Sequence, residues 1–581
     1  MRRLGFRTGL MVLVLLGLWA DHSRGQEIFP LEHIRPGMRG VSLTVLQGTK
    51  VEAIETEILG VQRGALGSGR DMIIGRLVDP RTATSGAVHG MSGSPLMIEG
   101  KLAGALSRRL MIFEKDGHCG FTPAADMFDV ERRKPGTGPT SGPWQGGQWV
   151  SRDQWKAWGL HPRAETSTGM LGIPVALPSW DEATAHLFAP LLRDLPGLVP
   201  VAGRASSGGV ASALPLEPGN ALAVVLMDGD ISIAGTGTLT WTDGKRFMGF
   251  GHPMLGIGET NLPVAPAEII TIVPSYLMPF KLSNPGPVRG AMIQDRLSAI
   301  SGTFNAEAPT GRYHLRRTHQ GEKRPDLTGR FAQNELVTPF LIAMALRSVL
   351  IDEQDFSWDT TLRIRGQVGL RGLPPMQIDG IYSGDFGARM QALFDQIFPL
   401  LQLARAFPKQ VVIESLEARV DTHESASVWE LFEVLPQTRA ARPGEGIAVR
   451  IGVRNLQGQE RWVEGRVDVP EEVRSGTINL RAASGDLLSR EAMMDSWFGT
   501  ASGPEAVLRA RKAFAFDRIH LQLTTQAPGR AHEGWRQPAL PGSVARNAPG
   551  RNFRHTFAET SLPMNGVVRG YAETSLKVEL P

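Results

Sequence analysis

Short apolar runs, each closed within a few residues by glycine or proline, recur along most of this chain. Residues 41–46 end at Gly48, residues 72–77 stop just before Pro80, and residues 96–106 are broken at Glu99-Gly100. Runs of this length suit strands, because a helix needs about 10–12 residues to show its period. The 581 residues include 67 glycines and 40 prolines, and both types end regular elements. Such punctuation excludes a helical bundle and predicts a mainly β fold.

Composition narrows this further. Hydrophobic residues at 42% and charged residues at 21% supply ordinary cores and exclude wholesale disorder. At roughly 100–200 residues per domain, the length implies about three to five domains. A single cysteine, Cys119, excludes an internal disulfide framework and any multi-cysteine zinc or iron–sulfur site. A net charge of +4 exerts little pull on nucleic acid, and no nucleic-acid partner is expected.

The first 25 residues read as a targeting segment. Arg2, Arg3 and Arg7 precede the apolar run 11–19, and Ser23 and Gly25 set small residues before a cleavage point. This is the layout of a secretory signal peptide. Nothing later reaches about 20 uninterrupted apolar residues. The mature chain is therefore expected to be secreted or periplasmic.

Two small-residue stretches, 134–148 and 202–213, bracket an expected insertion at about 134–212. Asp243-Gly244 between apolar runs predicts a hairpin. Helices are expected at 340–350, opened by Thr338-Pro339, and at 386–403, where Pro399 predicts a kink or an end. Alternating runs across 411–485 predict a β-sandwich. Residues 486–581 read as a partly disordered extension. The basic stretch 312–330 reads as a solvated loop.

The chemistry concentrates at Ser92. Gly90-Met91-Ser92-Gly93-Ser94-Pro95 can form a tight turn that exposes a hydroxyl. The N–H groups of Gly90 and Ser92 can then converge on one point and hold a developing oxyanion. A serine hydroxyl needs a base, usually a histidine. His89 sits on the same turn segment and reads as a packing residue. His252, in Phe250-Gly251-His252-Pro253, ends a strand at a fixed turn and is the better candidate. His118-Cys119 is a poor dyad, since neighbours in sequence rarely face each other.

A longer string resembles a known family. Asp79-Pro80, Ser85-Gly86-Ala87-Val88, residues 90–95, Gly100-Lys101 and Gly104-Ala105 together resemble the active-serine region of the SpoIVB peptidases, chymotrypsin-like serine peptidases. Gly251-His252 resembles their Gly-His-Gly element. The resemblance implies a double β-barrel peptidase domain over 26–335, with Ser92 as nucleophile, His252 as base and Asp79 as the third triad member. The family order is histidine, aspartate, serine; here Asp79 and Ser92 come first, so the halves read as permuted. Asp295 and Glu259 remain alternative orienters.

The expected organisation is thus a signal peptide (1–25), this peptidase domain, a helical segment (336–410), a sandwich (411–485) and the extension. The expected activity is that of an exported serine endopeptidase acting on cell-envelope or secreted proteins, without cofactor or metal and with possible peripheral envelope association. The rival reading is an inactive pseudo-peptidase that binds or scaffolds. A third, an envelope- or carbohydrate-binding sandwich, would need an aromatic platform, for which Trp429 and Trp462 are the nearby tryptophans.

Overall fold

The structure is a computed structural model. It describes residues 27–82, 85–111, 116–133, 171–177, 198–202, 214–275, 278–351, 359–473, 476–498, 503–510, 514–525, 529–532, 535–537, 542–547 and 551–579. The expected signal segment and most of the expected insertion lie outside these residues. The chain divides into two compact units, one of residues 1–226 and 232–309, the other of 227–231 and 310–581.

The first unit begins with a closed barrel. Its strands are β1 (Arg39–Val45), β2 (Val51–Gly67), β3 (Arg70–Leu77), β4 (Pro95–Ile98), β5 (Lys101–Arg109) and β6 (His118–Pro123), in the order β1-β2-β3-β6-β5-β4. Glu99 and Gly100 both take positive φ (51° and 75°), the conformation that a two-residue hairpin between β4 and β5 requires. The barrel core includes Ile54, Ile58, Ile73, Leu96, Leu106 and Phe121, all sealed from solvent. Helix α1 (Ala124–Glu131) follows directly.

A second row of strands completes this unit. It contains β7 (Ile173–Leu177), β8 (Leu198–Ala202), β9 (Ala221–Gly229), β10 (Ile233–Thr242), β11 (Arg246–Gly249), β12 (Gly258–Val273), β13 (Phe280–Pro285), β14 (Gly290–Arg296) and β15 (Ala299–Phe304). The order β9-β12-β14-β15-β11-β10 is joined at its ends by a further β9–β10 pairing, with β7 and β8 continuing beyond β10. One closed barrel and a second strand ring give the mainly β, double-barrel character expected. The run 221–227 is apolar on both faces because both faces of β9 are buried. Asp243-Gly244 makes the β10–β11 hairpin: Asp243 Oδ1 accepts the N–H of Lys245 at 2.9 Å, and Gly244 has φ +85°.

The second unit corrects several expectations. Residues 312–330 are not a loop: they lie in the hairpin of β16 (Thr310–His319) and β17 (Glu322–Ala332); β16 buries Gly311, Tyr313 and Leu315 in alternation, while β17 is buried only at Phe331 and Ala332. Helix α2 (Thr338–Leu350) opens with Pro339 as expected. After β18 (Thr360–Leu370) and β19 (Met376–Gly384), helix α3 (Phe386–Ala406) is capped by Asp385, which accepts the Gly387 N–H at 2.9 Å. It continues through Pro399 rather than ending there. A proline forfeits a single N–H, and this one is buried among packed side chains that outweigh the loss.

Strand β20 (Ile413–His423), expected in the sandwich, instead pairs in parallel with β16 and antiparallel with β18. The sandwich proper starts at Val428. One of its sheets holds Val428–Pro436, Gly446–Asn455, Glu460–Asp468 and Val567–Arg569. The other holds Ala440–Ala441, Gly476–Ser484, Arg518–Thr525, Thr556–Pro563 and Tyr571–Val578. The extension thus contributes central strands of this domain. Val449, Ile451, Leu480, Leu521 and Leu576 form its core. Among the described residues, no helix is long and apolar enough to cross a membrane.

Candidate active site

Two glycines shape the serine turn. Gly90 and Gly93 both have φ +93°, a region that side chains rarely adopt. At Gly93 there is also no room: a Cβ would collide with the Thr238 carbonyl oxygen and the Phe250 nitrogen. The turn is held from inside, with Ser94 Oγ donating to the Met91 carbonyl at 2.6 Å. Gly93 N–H donates to the Leu106 carbonyl at 2.7 Å.

The second ring grips this turn from the other side. Thr238 N–H donates to the Ser92 carbonyl at 2.8 Å, Thr238 Oγ1 to Gly90 O at 3.1 Å, and Thr240 Oγ1 to Gly93 O at 2.7 Å. These β10 threonines spend their hydroxyls on the turn, a role invisible in the sequence pattern.

The His252 turn packs against the same place. Phe250 and Gly251 both have φ +69°, and the buried Phe250 is an uncommon residue for that conformation. The turn is tied down by Phe250 N–H to Thr238 O at 3.2 Å and by Thr122 Oγ1 to Gly251 O at 2.6 Å. A Cβ on Gly251 would sit 3.2 Å from Leu106 O, the same carbonyl that Gly93 uses. Serine turn and histidine turn therefore share the Thr238 and Leu106 main chain as common supports.

Ser92 is wholly buried and His252 is 1% exposed. Ser92 Oγ and His252 Nε2 are both buried, and neither has a hydrogen-bond partner among the described residues, so the two are not hydrogen-bonded to each other. His252 Nδ1 lies 2.7 Å from the Pro253 carbonyl. A carbonyl only accepts, so Nδ1 carries the proton and the neutral ring leaves Nε2 as an acceptor. Burial lowers the ring's pKa to about 4, against the pull of the Pro253 carbonyl, and the nearby Arg108 and His89 lower it further. No acceptor for the N–H of Gly90 or Ser92 occurs among the described residues.

Asp79 does not join them. Its carboxylate takes the Arg81 N–H and Nε at 2.9 Å and the Arg81 Nη2 at 2.7 Å, closing the short helical turn Pro80–Thr82. Those hydrogen bonds from Arg81 hold its pKa below the usual carboxylate range. The expectation of an Asp79–His252 pair is corrected accordingly: an arginine two residues away satisfies both oxygens. Glu259 lies on β12 opposite Gln294 and is not bonded to His252.

Asp295 has another task. Fully buried on β14, it accepts Met254 N–H and Leu255 N–H at 2.8 Å, and Ile257 N–H at 3.5 Å. It fixes the loop that leaves His252. Burial pushes its carboxyl up, while those backbone N–H groups pull the other way.

The remaining candidates are packing groups. His89 is half-buried, with Nδ1 at 3.2 Å from Gly172 O. Cys119 is buried in the barrel, its thiol toward Gly75 O. Sequence reasoning missed Lys281. Its Nζ donates to Thr44 Oγ1 at 2.7 Å, and its stem lies on Gly90, 3.1 Å from where a Cβ would be. Burial lowers its pKa to about 7. Main-chain bonds of 2.9 Å, His89 N–H to Pro279 O and Lys281 N–H to His89 O, lay this segment along the turn.

Residues 23–127 match the model of the SpoIVB peptidase S55 family. The matched stretch contains the whole closed barrel and the Ser92 turn, so the resemblance read from residues 79–105 is borne out over that stretch. His252 and the second ring lie beyond the match. No curated protein and no solved structure matches the chain.

Proposed function

We propose that the chain is an exported serine endopeptidase of the SpoIVB type that works with a Ser92–His252 dyad. The observation that carries this reading is the pair of buried, unpartnered atoms, Ser92 Oγ and His252 Nε2, on turns that share the same supports. Ser92 Oγ attacks the scissile carbonyl and its proton passes to Nε2. The oxyanion takes the N–H groups of Gly90 and Ser92. His252 then gives the proton to the leaving amine, and water releases the acyl group by the same route. The Pro253 carbonyl keeps the ring in the basic tautomer, a job that an aspartate performs in most triads. Asp295 acts as a positioning residue for the His252 loop. Export rests on the basic and apolar N-terminal segment, and the substrates are proteins or peptides outside the cytoplasm or in the envelope.

A second reading has its own support. Ser92 and His252 are closed to solvent and, among the described residues, no carboxylate is bonded to the ring, as would suit a pseudo-peptidase. A fluorophosphonate probe separates the two. Labelling of the full chain that vanishes in Ser92→Ala supports the peptidase, and no labelling of either chain supports the scaffold.

A further inference from the structure

A cavity of about 280 Å³ lies within the second unit, between β18, β19, α3 and the segments 486–490 and 514–517. That volume is near the lower end for small-ligand sites and suits a single long side chain. Its wall holds three buried oxygens with no donor among the described residues, Gln396 Oε1, Asp395 Oδ2 and Asp486 Oδ1, although the Asp395 carboxyl also lies beside Gln391 and Tyr382. Gln396 is 2% exposed. Its amide cannot be turned to hide the oxygen. Nε2 donates to the Asp379 carbonyl at 3.3 Å and to Tyr382 Oη at 3.0 Å, and a carbonyl needs a donor. Native folds rarely leave three such acceptors together unless something else supplies the donors.

The charge has a sign. Asp379, Asp395, Asp486 and Asp517 face the cavity against Arg363 and Arg490. Arg490 is spent on Asp486 Oδ2, and Arg363 Nη1 reaches Asp517 at 3.3 Å. Asp395 forms no salt bridge among the described residues, and the one cation acting on it, Arg490, is paired with Asp486. No three histidine, cysteine or carboxylate groups among the described residues come together as metal ligands. At the mouth, Phe394 and Phe398 stand one helical turn apart on α3, 49% and 45% exposed. Such rings suit an aliphatic stem and the face of a guanidinium. One buried donor, Arg363 Nε, also lacks an acceptor, and a peptide carbonyl beside the cation would complete it.

We propose that this cavity binds an arginine side chain carried on a peptide, at a site separate in composition from the serine turn. Three acceptors match a guanidinium's fork of donors, and the aromatic mouth holds its stem. The proposal does not depend on peptidase activity.

The test uses the full chain with Ser92→Ala, so that no peptide is consumed. Fluorescence anisotropy follows a labelled Ala-Ala-Arg-Ala-Ala peptide and its citrulline counterpart, which keeps the shape without the charge. Saturable binding of the arginine peptide, at least about tenfold tighter than the citrulline peptide, is expected. Asp395→Asn should weaken it about tenfold or more, and Phe398→Ala several-fold. Phe398 is exposed, so that variant keeps its fold. The proposal is overturned by a lack of saturable binding, by equal binding of the citrulline peptide, or by unchanged affinity in both variants. Competition by free butylguanidinium at the same affinity as the peptide would overturn the peptide as the source of the cation.

Discussion

Thr238 donates its main-chain N–H to the carbonyl of Ser92 at 2.8 Å, and its own carbonyl accepts the N–H of Phe250 at 3.2 Å. One residue of β10 thus holds both the serine turn and the turn that presents His252. Ser92 comes from one ring of strands and His252 from the other. Their placement depends on main-chain contacts that tolerate no extra atom between them.

Gly93→Ala tests that closeness. The new methyl would meet the Thr238 oxygen and the Phe250 nitrogen, in a backbone region costly for alanine. Overpacking and the positive φ together should cost about 2–4 kcal/mol and abolish Ser92 labelling. Gly100→Ala, also at positive φ but with open space around it, should cost about 1 kcal/mol and leave labelling intact. Thermal melts and probe labelling of both variants check this. Equal losses would mean that conformation alone, and not the packing of the two turns, sets the requirement.

Asp295 and Asp79 should behave in opposite ways. In Asp295→Asn the new NH₂ faces a backbone N–H that the carboxylate had accepted, leaving a buried donor unpaired at about 1–3 kcal/mol. The His252 loop shifts, and labelling measured well below the melting temperature should slow at least about tenfold. Asp79→Asn loses a partly exposed ion pair with Arg81, at about 0.2–1 kcal/mol, and should label like the wild type. Slow labelling in Asp79→Asn alone would restore it as the orienting residue.

How much of this is legible in the sequence follows the range of each interaction. The serine turn can be read because Gly90, Ser92, Gly93 and Pro95 are contiguous and their backbone needs are local. Gly251-His252 can be read for the same reason. Asp79 misleads because its position beside Pro80 says where the backbone goes, while Arg81 decides where the carboxylate points. Strand β20 is recognisable as a strand, yet its partner is β16, about 100 residues earlier, and no local pattern encodes a parallel pairing. The second ring depends on β9 meeting β10 as well as β12, and the terminal strands of the sandwich are too polar to announce themselves.

Lys281 offers a stability signature. Its folded pKa is lowered to about 7 by burial, whereas an unfolded lysine titrates near about 10.4. Between those values the unfolded chain binds more protons, so stability rises with pH across about 7 to 10. Lys281→Met keeps a stem of similar length on Gly90 and removes the ammonium. It should be more stable than the wild type at pH 7 and lose that rise. Denaturant midpoints from pH 7 to 10 for both chains measure it, and a parallel pH course would show that the ammonium reaches water.

His252 should make both stability and chemistry sensitive to acid. Burial lowers its pKa to about 4, while an unfolded histidine titrates near about 6.5. Above about 6.5 neither state holds the proton. Between about 6.5 and 4 the unfolded chain binds it and the folded chain does not, so stability falls as the solution is acidified through that window. The full effect is about 3 kcal/mol, since each tenfold difference in proton affinity is worth about 1.36 kcal/mol. His252→Asn should remove this component of the acid sensitivity. The same value governs chemistry, because Nε2 must be unprotonated to accept the Ser92 proton. The rate of probe labelling should therefore stay flat from pH 8 down to about 5.5 and fall with an inflection near 4. An inflection near 6.5 would mean that the working histidine is exposed to water when it reacts, and that the site opens before the serine attacks.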